Sequence, residues 1–376
     1  MGSSAGRLGV GLVGSGFMGR AHAFAFNAVA QVFDPPLRPE LAVLADRTGE
    51  IAGEVARSLG FARAVGDWRA LVEDASVDVV AITAPNALHK PVALAAFKAG
   101  KHVYCEKPLA TTLVDACAMA EAAEASGRVG LVGFNYLKNP IIALAREIVQ
   151  SGEIGEPVAF RGIHAEDYMM DPEAPHGFRT DPEGGGALMD IGSHIVSMAR
   201  YLVGPIEEVT AATATVHQTR PAEGGRRPVP VDDHGHFVAR FANGALGTLS
   251  ASWVAAGRKM QLEFELTGTR GTLAFSQERF NELQIYAVGA DRPARDGFRT
   301  ILSGPATPPY GHFCPAPGHQ LGFNDLKTIE VAHLIAAIAG EETPSPDFRE
   351  AYEIQRTIAA ALGSARERAW VRVDSL

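Results

Sequence analysis

The sequence predicts two domains: an α/β domain with a doubly wound parallel sheet, followed by an α+β domain with an open, mainly antiparallel sheet. Three observations support this prediction. The chain has 376 residues, more than the roughly 250 to 300 residues at which a single hydrophobic core stops growing. Short apolar strands alternate with helical stretches up to about residue 135, and longer alternating segments follow from Pro157.

The first domain, residues 1–136, is predicted to consist of βαβ units. Five apolar runs rich in β-branched residues predict its strands: 9–13, 41–45, 77–83, 102–105 and 129–134. Helices are predicted between them at 20–29, 48–59 and 111–125. The last two begin with threonine, whose hydroxyl can cap the first turn of a helix.

The second domain, residues 137–376, has strands of a different kind. Alternating polar and apolar residues predict antiparallel strands at 158–163, 208–217, 236–241, 245–253 and 261–266. Helices are predicted at 187–201, 325–339 and 348–366, and the last two can pack back on the first domain. Segments 219–230 and 288–319 are rich in Gly, Pro and Arg and predict loops, and the length of the second suggests a function.

The composition disfavours several classes of protein. A net charge of −9 argues against nucleic acid as a partner, because binding to the phosphate backbone needs a surplus of Lys and Arg on one face. The sequence has three cysteines, Cys105, Cys117 and Cys314, without CxxC spacing. They therefore support neither a disulfide framework nor a zinc ribbon. The sequence has no run of about 18 apolar residues, so we expect no membrane span. A reducing, cytoplasmic location fits these features.

A glycine-rich loop joins the first predicted strand to the first predicted helix. It reads Gly14-Ser15-Gly16-Phe17-Met18-Gly19, the GxGxxG pattern of a dinucleotide-binding fold. Gly14 allows a tight turn, Gly16 lets the backbone approach a pyrophosphate, and Gly19 lets the helix pack on the strand. We assign the loop, with Phe17 and Met18, to the cofactor. The alternative, a glycine turn without a ligand, is disfavoured by the position between strand and helix.

The second predicted strand ends at Asp46, where a carboxylate can bind the adenosine ribose. This carboxylate would repel a 2′-phosphate, which favours NAD over NADP. Arg47 keeps NADP open as an alternative, because its guanidinium could attract a 2′-phosphate or stack on adenine.

Three further motifs follow in order: Ala84-Pro85-Asn86-Ala87-Leu88-His89, Tyr104-Cys105-Glu106-Lys107-Pro108, and Gly186-Ala187-Leu188-Met189-Asp190-Ile191-Gly192-Ser193-His194. With the glycine loop, they resemble the glucose-fructose oxidoreductase / inositol dehydrogenase / rhizopine catabolism (Gfo/Idh/MocA) family over nearly the whole chain. The resemblance implies a Rossmann domain, an open-sheet domain and a nicotinamide between them. Segments 133–136, 160–162 and 298–301 are most similar to branches that act on anhydrosugars and inositols.

The resemblance also assigns roles within the first domain. Lys107 is implied to be catalytic, since a lysine beside nicotinamide can hydrogen-bond the reacting hydroxyl and stabilise a developing alkoxide. Further cofactor contacts are implied for Pro85, Asn86, His89, Glu106, Lys107 and Asn135.

Asp190 and His194 are four residues apart, so on one helix they would share a face. The resemblance places both at the substrate, with His194 as general acid and base and Asp190 as an orienting group. Histidine suits this role because its pKa lies near the working pH. Taken alone, His194 could equally be an interior histidine and Asp190 a carboxylate on a helix surface.

Substrate contacts are further predicted for Tyr136, Glu166 and Lys107, with a packed tyrosine and a solvated strand end as the alternatives for the first two. A zinc site built from Asp190, His194 and either His164 or His176 lacks a complete ligand set. We therefore expect no metal.

The predicted function is an NAD-dependent dehydrogenase that oxidises or reduces a secondary alcohol of a sugar, anhydrosugar or cyclitol. One alternative is a lyase or glycosidase that retains NAD and uses transient oxidation. Another is a regulator that senses NAD or NADP without catalysis, although the sequence keeps the lysine and the Asp/His pair that catalysis needs. One face of the sheet in the second domain needs another protein surface to cover it. This predicts a homo-oligomer formed through that face, a dimer or a tetramer.

Overall fold

The computed structural model describes residues 6–289 and 296–376, so residues 290–295 of the predicted loop 288–319 lie outside it. The chain divides into two compact units. The first contains Met1–Lys138 and Gly322–Tyr352, and the second contains Asn139–Leu321 and Glu353–Leu376. The first unit thus includes a segment from late in the chain that lies within the predicted range of the second domain.

The helices and strands of the described residues are named in chain order. The helices are α1 (Phe17–Val32), α2 (Gly49–Leu59), α3 (Trp68–Val72), α4 (His89–Lys98), α5 (Leu113–Ser126), α6 (Pro140–Gln150), α7 (Ala187–Asp190), α8 (Gly192–Val203), α9 (Tyr310–Phe313), α10 (Phe323–Ala339) and α11 (Phe348–Glu367). The strands are β1 (Gly6–Val13), β2 (Leu37–Ala45), β3 (Arg63–Val65), β4 (Val79–Ile82), β5 (His102–Cys105), β6 (Gly130–Val132), β7 (Pro157–Ala165), β8 (Ile206–Ala214), β9 (Thr219–Ala222), β10 (Gly225–Pro228), β11 (His234–Phe241), β12 (Leu246–Ser252), β13 (Gln261–Gly268), β14 (Gly271–Ser276), β15 (Glu282–Ala287), β16 (Arg299–Leu302) and β17 (Val371–Arg372).

In the described part of the first unit, six parallel strands form a sheet in the order β3-β2-β1-β4-β5-β6. This is the doubly wound dinucleotide-binding order, and the predicted fold is confirmed. Buried residues of β1, β2 and α1 form one hydrophobic cluster with Val331, Leu334 and Ile335 of α10. The apolar stripe of α10 therefore belongs to this core.

Threonine was predicted to cap the N-termini of two helices, α2 and α5. Thr48 caps α2 as predicted, since its hydroxyl oxygen accepts a hydrogen bond from the Ile51 amide at 3.2 Å. The second prediction was wrong by one residue: Thr112, not Thr111, accepts the Asp115 amide at 3.1 Å and starts α5.

In the described part of the second unit, nine strands form an open sheet in the order β16-β15-β14-β13-β7-β12-β11-β8-β17. β7 and β12 run parallel and the other neighbours are antiparallel, so the mainly antiparallel sheet is confirmed. Side chains alternate between buried and more exposed along β11, β12, β13 and β14. The helix α8 packs on β7, where a Cβ at Gly162 would lie 2.6 Å from the Ile195 side chain.

The loop predicted at 219–230 was wrong, because β9 and β10 pair there as an antiparallel hairpin. Glu223 and Gly224 form its turn, and Gly224 and Gly225 have φ of 82° and 136°, so the glycines that predicted a loop belong to a tight hairpin. The predicted loop 288–319 likewise contains β16, which pairs with β15, and the short helix α9. Among the helices that the structure describes, none is long and apolar enough to cross a membrane.

Candidate active site

The glycine loop has the geometry that its sequence predicts. Gly14 has φ of 97°, and a Cβ there would lie 2.9 Å from the Ala84 amide nitrogen. At Gly19 a Cβ would lie 2.2 Å from the Gly14 carbonyl oxygen, so a side chain would push α1 off the loop. Gly16 differs, because a Cβ there would meet no described atom within 4 Å. The backbone at Gly16 is therefore open to a ligand at the N-terminus of α1, where the exposed Phe17 and half-buried Met18 follow.

Asp46 lies directly after β2 beside this loop. Its Oδ2 accepts hydrogen bonds from the Ser15 amide at 2.9 Å and the Ser15 hydroxyl at 2.6 Å, and its Oδ1 accepts the Arg47 amide at 2.7 Å. Partial burial disfavours its charge, but these hydrogen bonds outweigh that effect and lower the pKa of Asp46. Asp46 is thus an ionised acceptor at the position where a ribose-binding carboxylate is expected.

Pro85, Asn86 and His89 follow β4 at the same edge of the sheet. Asn86 begins a 3-10 turn and His89 begins α4. The His89 ring is buried, with Nδ1 2.9 Å from the Pro108 carbonyl oxygen and Nε2 3.0 Å from the Ala84 carbonyl oxygen. Burial lowers the pKa of His89 more than these carbonyls raise it. Its ring therefore joins two loops, whereas the prediction placed His89 against the cofactor.

Glu106, Lys107 and Pro108 follow β5 at this edge too, and the Lys107–Pro108 peptide bond is cis. Lys107 is half-buried, and its amide lies 3.3 Å from Oε2 of the buried Glu106 carboxylate. Glu106 Oε1 accepts hydrogen bonds from His22 Nε2 at 2.8 Å and from Lys327 Nζ at 2.6 Å. The Glu106 carboxylate is thus engaged inside the protein, and the predicted contact of Glu106 with the cofactor stays a prediction.

Sequence reasoning missed the group of buried polar side chains around Glu106. Lys327 and Glu330 of α10, Tyr104 of β5 and His22 of α1 complete it, and we call these five residues the Glu106 cluster. His22 and Lys327 are separated by 305 positions in sequence, so no local pattern links them. The residue types themselves therefore gave no signal.

Asn135 and Tyr136 follow β6 in a 3-10 turn. Asn135 is buried, and the Tyr136 ring contacts Phe323 at a centroid distance of 6.5 Å. Phe323 also stacks on Phe17 at 5.7 Å. The start of α10 thus packs against both a residue of the glycine loop and a predicted substrate residue.

In the second unit the predicted helix 187–201 is broken, which corrects the expectation that Asp190 and His194 share a helix face. α7 ends at Asp190 and α8 begins at Gly192, with Ile191 between them. The His194 amide still bonds the Ile191 carbonyl at 3.1 Å, so the two segments follow each other closely. His194 is 5% exposed and Asp190 is half-buried.

Asp190 is held by a loop that precedes it in sequence. Its Oδ2 accepts hydrogen bonds from the Tyr168 hydroxyl at 2.9 Å and from Arg179 Nε at 2.9 Å. Burial lowers the pKa of the Arg179 guanidinium, but the Asp190 carboxylate and the Tyr168 hydroxyl together raise it by more. The sequence patterns did not link either Arg179 or Tyr168 to Asp190. The pair fixes the orientation of Asp190.

His194 has a second histidine beside it. The buried His164 ring lies 5.4 Å from the His194 ring between centroids. His164 Nδ1 lies 2.8 Å from the Ile191 carbonyl oxygen, and Nε2 lies 2.9 Å from Glu166 Oε1. The predicted substrate residue Glu166 therefore contacts a histidine of the same site. Within the described residues, no group of three or more His, Cys, Asp or Glu side chains could hold a metal ion.

Asp232 positions the first turn of α7. Its Oδ2 accepts a hydrogen bond from the Leu188 amide at 2.8 Å, and its main-chain carbonyl accepts the Ala187 amide at 2.9 Å. Burial raises the pKa of Asp232 to about 6, despite the hydrogen bond from Leu188. This cap acts from 44 positions away in sequence, which explains why helix patterns near Asp190 did not reveal it.

The fold defines a dinucleotide-binding oxidoreductase with a second domain that contains an open, mostly antiparallel sheet. Residues 8–134 match the oxidoreductase family with an NAD-binding Rossmann fold, and residues 142–274 match the GFO/IDH/MocA C-terminal domain. The chain belongs to the GFO/IDH/MocA family, which confirms the resemblance seen in its motifs.

Several relatives are similar over nearly the whole chain. Levoglucosan dehydrogenase of Pseudarthrobacter phenanthrenivorans is 40% identical, covering 98% of this chain and 99% of the relative. A solved structure of levoglucosan dehydrogenase with NADH and L-sorbose has a TM-score of 0.95 at 40% identity and the same coverage. An NAD binding oxidoreductase from Klebsiella pneumoniae is 44% identical with a TM-score of 0.94, again covering 98% and 99% of the two chains.

Proposed function

We propose that this protein is an NAD-dependent dehydrogenase that oxidises, or in reverse forms, a secondary alcohol on a sugar, anhydrosugar or cyclitol. The observation that carries the proposal is the position of Lys107. It is the second residue after β5, at the carboxyl edge of the parallel sheet, the edge that also bears the glycine loop. Ligands of doubly wound sheets bind at this edge, so Lys107 is a charged donor placed for chemistry on a bound substrate.

The residues of the first unit fit NAD. The open backbone at Gly16 leaves room for a pyrophosphate, and the ionised Asp46 suits ribose hydroxyls and repels a 2′-phosphate. When bound, NAD supplies the redox chemistry by accepting a hydride from the substrate carbon. The known NADH complex of levoglucosan dehydrogenase supports the same choice of cofactor.

In this proposal the side chains share the proton chemistry. His194 takes the hydroxyl proton as general base, and Lys107 hydrogen-bonds the same oxygen and stabilises the negative charge that develops there. Asp190, held by Tyr168 and Arg179, orients the substrate or His194.

We infer that Tyr136 and Glu166 contribute to the substrate site, and that Asn135 and the turn at Pro85 and Asn86 contribute to the cofactor site.

The relatives support a carbohydrate as the substrate. Levoglucosan is an anhydrosugar and L-sorbose is a ketose, and both are named with the relative that is 40% identical. We therefore propose a neutral polyhydroxy compound of this size and keep the exact substrate open to the experiment.

The experiment is a spectrophotometric screen with purified protein, NAD or NADP, and a panel of inositols, aldoses and anhydrosugars that includes levoglucosan. We expect NADH formation with at least one member of the panel and a preference for NAD. Turnover of a sugar without net NADH would instead indicate a lyase or glycosidase that retains NAD. NAD binding without turnover of any compound would favour a sensor and contradict the proposal.

We also propose that the chain forms a homo-oligomer through the outer face of the nine-stranded sheet and works in the cytoplasm. Cys105, Cys117 and Cys314 are free thiols, as expected in a reducing compartment.

A further inference from the structure

The Lys327 ammonium group uses all of its N–H donors in hydrogen bonds. Nζ donates to Glu106 Oε1 at 2.6 Å, to Glu330 Oε2 at 2.9 Å and to the Tyr104 hydroxyl at 3.1 Å. An ammonium group has three N–H donors, so each is used. Tyr104 in turn donates to Glu330. Lys327 is therefore the centre of the Glu106 cluster and ties α10 to the residue that precedes Lys107.

His22 contacts the same carboxylate oxygen of Glu106 as Lys327. Its Nε2 lies 2.8 Å from Glu106 Oε1, and the ring stacks on Tyr104 with centroids 4.3 Å apart. Burial, followed by the Lys327 charge, lowers the pKa of His22, so the ring is neutral and Nε2 carries its proton. Nδ1 then has no partner among the described residues. A buried polar atom left unpaired in this way costs stability.

Stability alone does not account for such a cluster. Lys327, Glu330, Tyr104 and His22 are 0% exposed and Glu106 is 6% exposed. Buried ion pairs recover little more than their desolvation energy, and apolar side chains of similar volume often replace them without loss. A buried cation between two carboxylates is better explained by geometric specificity, because it holds its partners in one arrangement.

We propose that Lys327 is a positioning residue for Lys107, acting through the Glu106 carboxylate. The inference rests on the proposed role of Lys107 in catalysis. Lys327 and His22 fix Glu106 Oε1, while Oε2 receives the Lys107 amide at 3.3 Å. The carboxylate thereby fixes the main chain of the turn, which determines where the Lys107 side chain begins. Gly133 belongs to the same arrangement, since a Cβ there would lie 2.8 Å from Glu106 Oε1.

The first test measures the reactivity of Lys107 itself, independently of turnover. The full-length protein is labelled with an amine-reactive reagent, and peptide mass spectrometry follows the labelling rate of each lysine. We compare wild type with Lys327→Met and with Gly133→Ala, which keeps every charge but displaces the carboxylate. Lys107 should label at least about threefold faster in both variants because its turn is loosened, whereas the exposed Lys98 should not change.

The second test measures the chemical step with the sugar found in the screen and its form deuterated at the reacting carbon. Misplacing Lys107 should lower kcat about tenfold or more and raise the deuterium isotope effect on kcat, with little change in NAD affinity. Loss of folded protein would lower activity per milligram but leave the isotope effect unchanged. The matched control is Lys101→Met, which removes a lysine that donates to the Asp74 and Val77 carbonyls at the other end of β5; its isotope effect should match wild type.

These outcomes separate the two proposals. Unchanged labelling of Lys107 in a folded Lys327→Met or Gly133→Ala variant overturns the positioning role, and Gly133→Ala decides the matter if Lys327→Met does not fold. Full turnover by Lys107→Ala would overturn the catalytic assignment instead, while the labelling result would still report whether Lys327 positions the turn.

Discussion

Lys107 and His194 are assigned to the chemical step and not to the cofactor phosphates or the adenosine ribose. Replacing either residue by alanine should therefore lower kcat by about 100-fold or more, while NAD affinity stays within about threefold. Turnover is measured by NADH absorbance and affinity by fluorescence titration with NADH. A comparable loss of NADH affinity in either variant would contradict its assigned role.

Asp46 provides a second test at the residue scale, because it is expected to choose between the two dinucleotides. Asp46→Ala removes the charge that repels a 2′-phosphate, so the ratio of kcat/KM for NAD to that for NADP should fall about tenfold. Arg47→Ala in the same background should lower NADP use again, since Arg47 can then no longer attract the phosphate. An unchanged ratio in Asp46→Ala would show that another residue sets the cofactor preference.

The residues that sequence reasoning found and missed differ in how their signals arise. Lys107, Asp190 and His194 stand in short contiguous motifs, so local spacing was enough to select them. Lys327 and Asp232 act on residues that are 221 and 44 positions away. Their role depends on tertiary contacts, which no local pattern encodes.

At the scale of single elements, the cap of α7 predicts a dependence of stability on pH. The pKa of Asp232 is raised from 3.8 to about 6 in the folded protein, so between these values the native state binds more protons than the unfolded state. The free energy of unfolding should then fall as the pH rises through this window, by about 3 kcal/mol from this group.

Asp232→Asn isolates that contribution, because an amide oxygen can still accept the Leu188 amide but does not ionise. The difference in unfolding free energy between Asp232→Asn and wild type should grow in favour of the variant by about 2 kcal/mol from pH 4 to pH 7. Urea unfolding at both pH values measures it. A difference that does not vary with pH would show that Asp232 ionises normally in the folded protein.

The β9–β10 hairpin holds the loop that carries Tyr168. The buried Arg220 donates to the Met169 and Asp171 carbonyls at 2.7 and 2.8 Å and lies 3.8 Å from the buried Asp233 carboxylate. Arg220→Met should lower the unfolding free energy by roughly 3 to 5 kcal/mol and raise the KM for the sugar, because Tyr168 no longer orients Asp190.

The control for this prediction is Arg227→Met, an exposed arginine on the same hairpin, which should leave both quantities near wild type. Urea unfolding and initial rates measure the two variants. If Arg220→Met is destabilised while its KM is unchanged, the hairpin supports the fold without shaping the substrate site.

The elements themselves could be predicted wherever one physical signal dominated. Alternation of apolar strands and capped helices predicted the parallel sheet, because strands buried on both faces read as continuous apolar runs. The hairpin and the break at Ile191 were missed for a different reason. The glycines at 224 and 225 concealed two short strands, and the residues on both sides of Ile191 are helical, so composition and helical periodicity were both misleading there.

At the scale of the whole molecule, we propose that another copy of the chain covers the outer face of the nine-stranded sheet. Directly paired residues cross it in one row: Thr210, Val238, Thr248, Arg161, Glu265 and Ala274. They line a shallow concavity of about 630 Å³ and are partly or fully exposed in the chain alone. Val238 is 37% exposed, and Arg161 pairs with Glu265 across neighbouring strands. A face that mixes apolar and paired charged side chains suits a second copy of the same sheet.

This face predicts the mass of the particle in solution. Light scattering should give two or four times the chain mass of 39.8 kDa. Val238→Glu places an unpaired charge in the centre of the face and should shift the particle towards the monomer, since a buried, uncompensated charge is strongly unfavourable. Val216→Glu, at an exposed valine beyond the end of β8, should leave the mass unchanged. A monomeric mass for wild type would contradict the proposal. An oligomeric mass that Val238→Glu does not change would show that the interface lies on another surface.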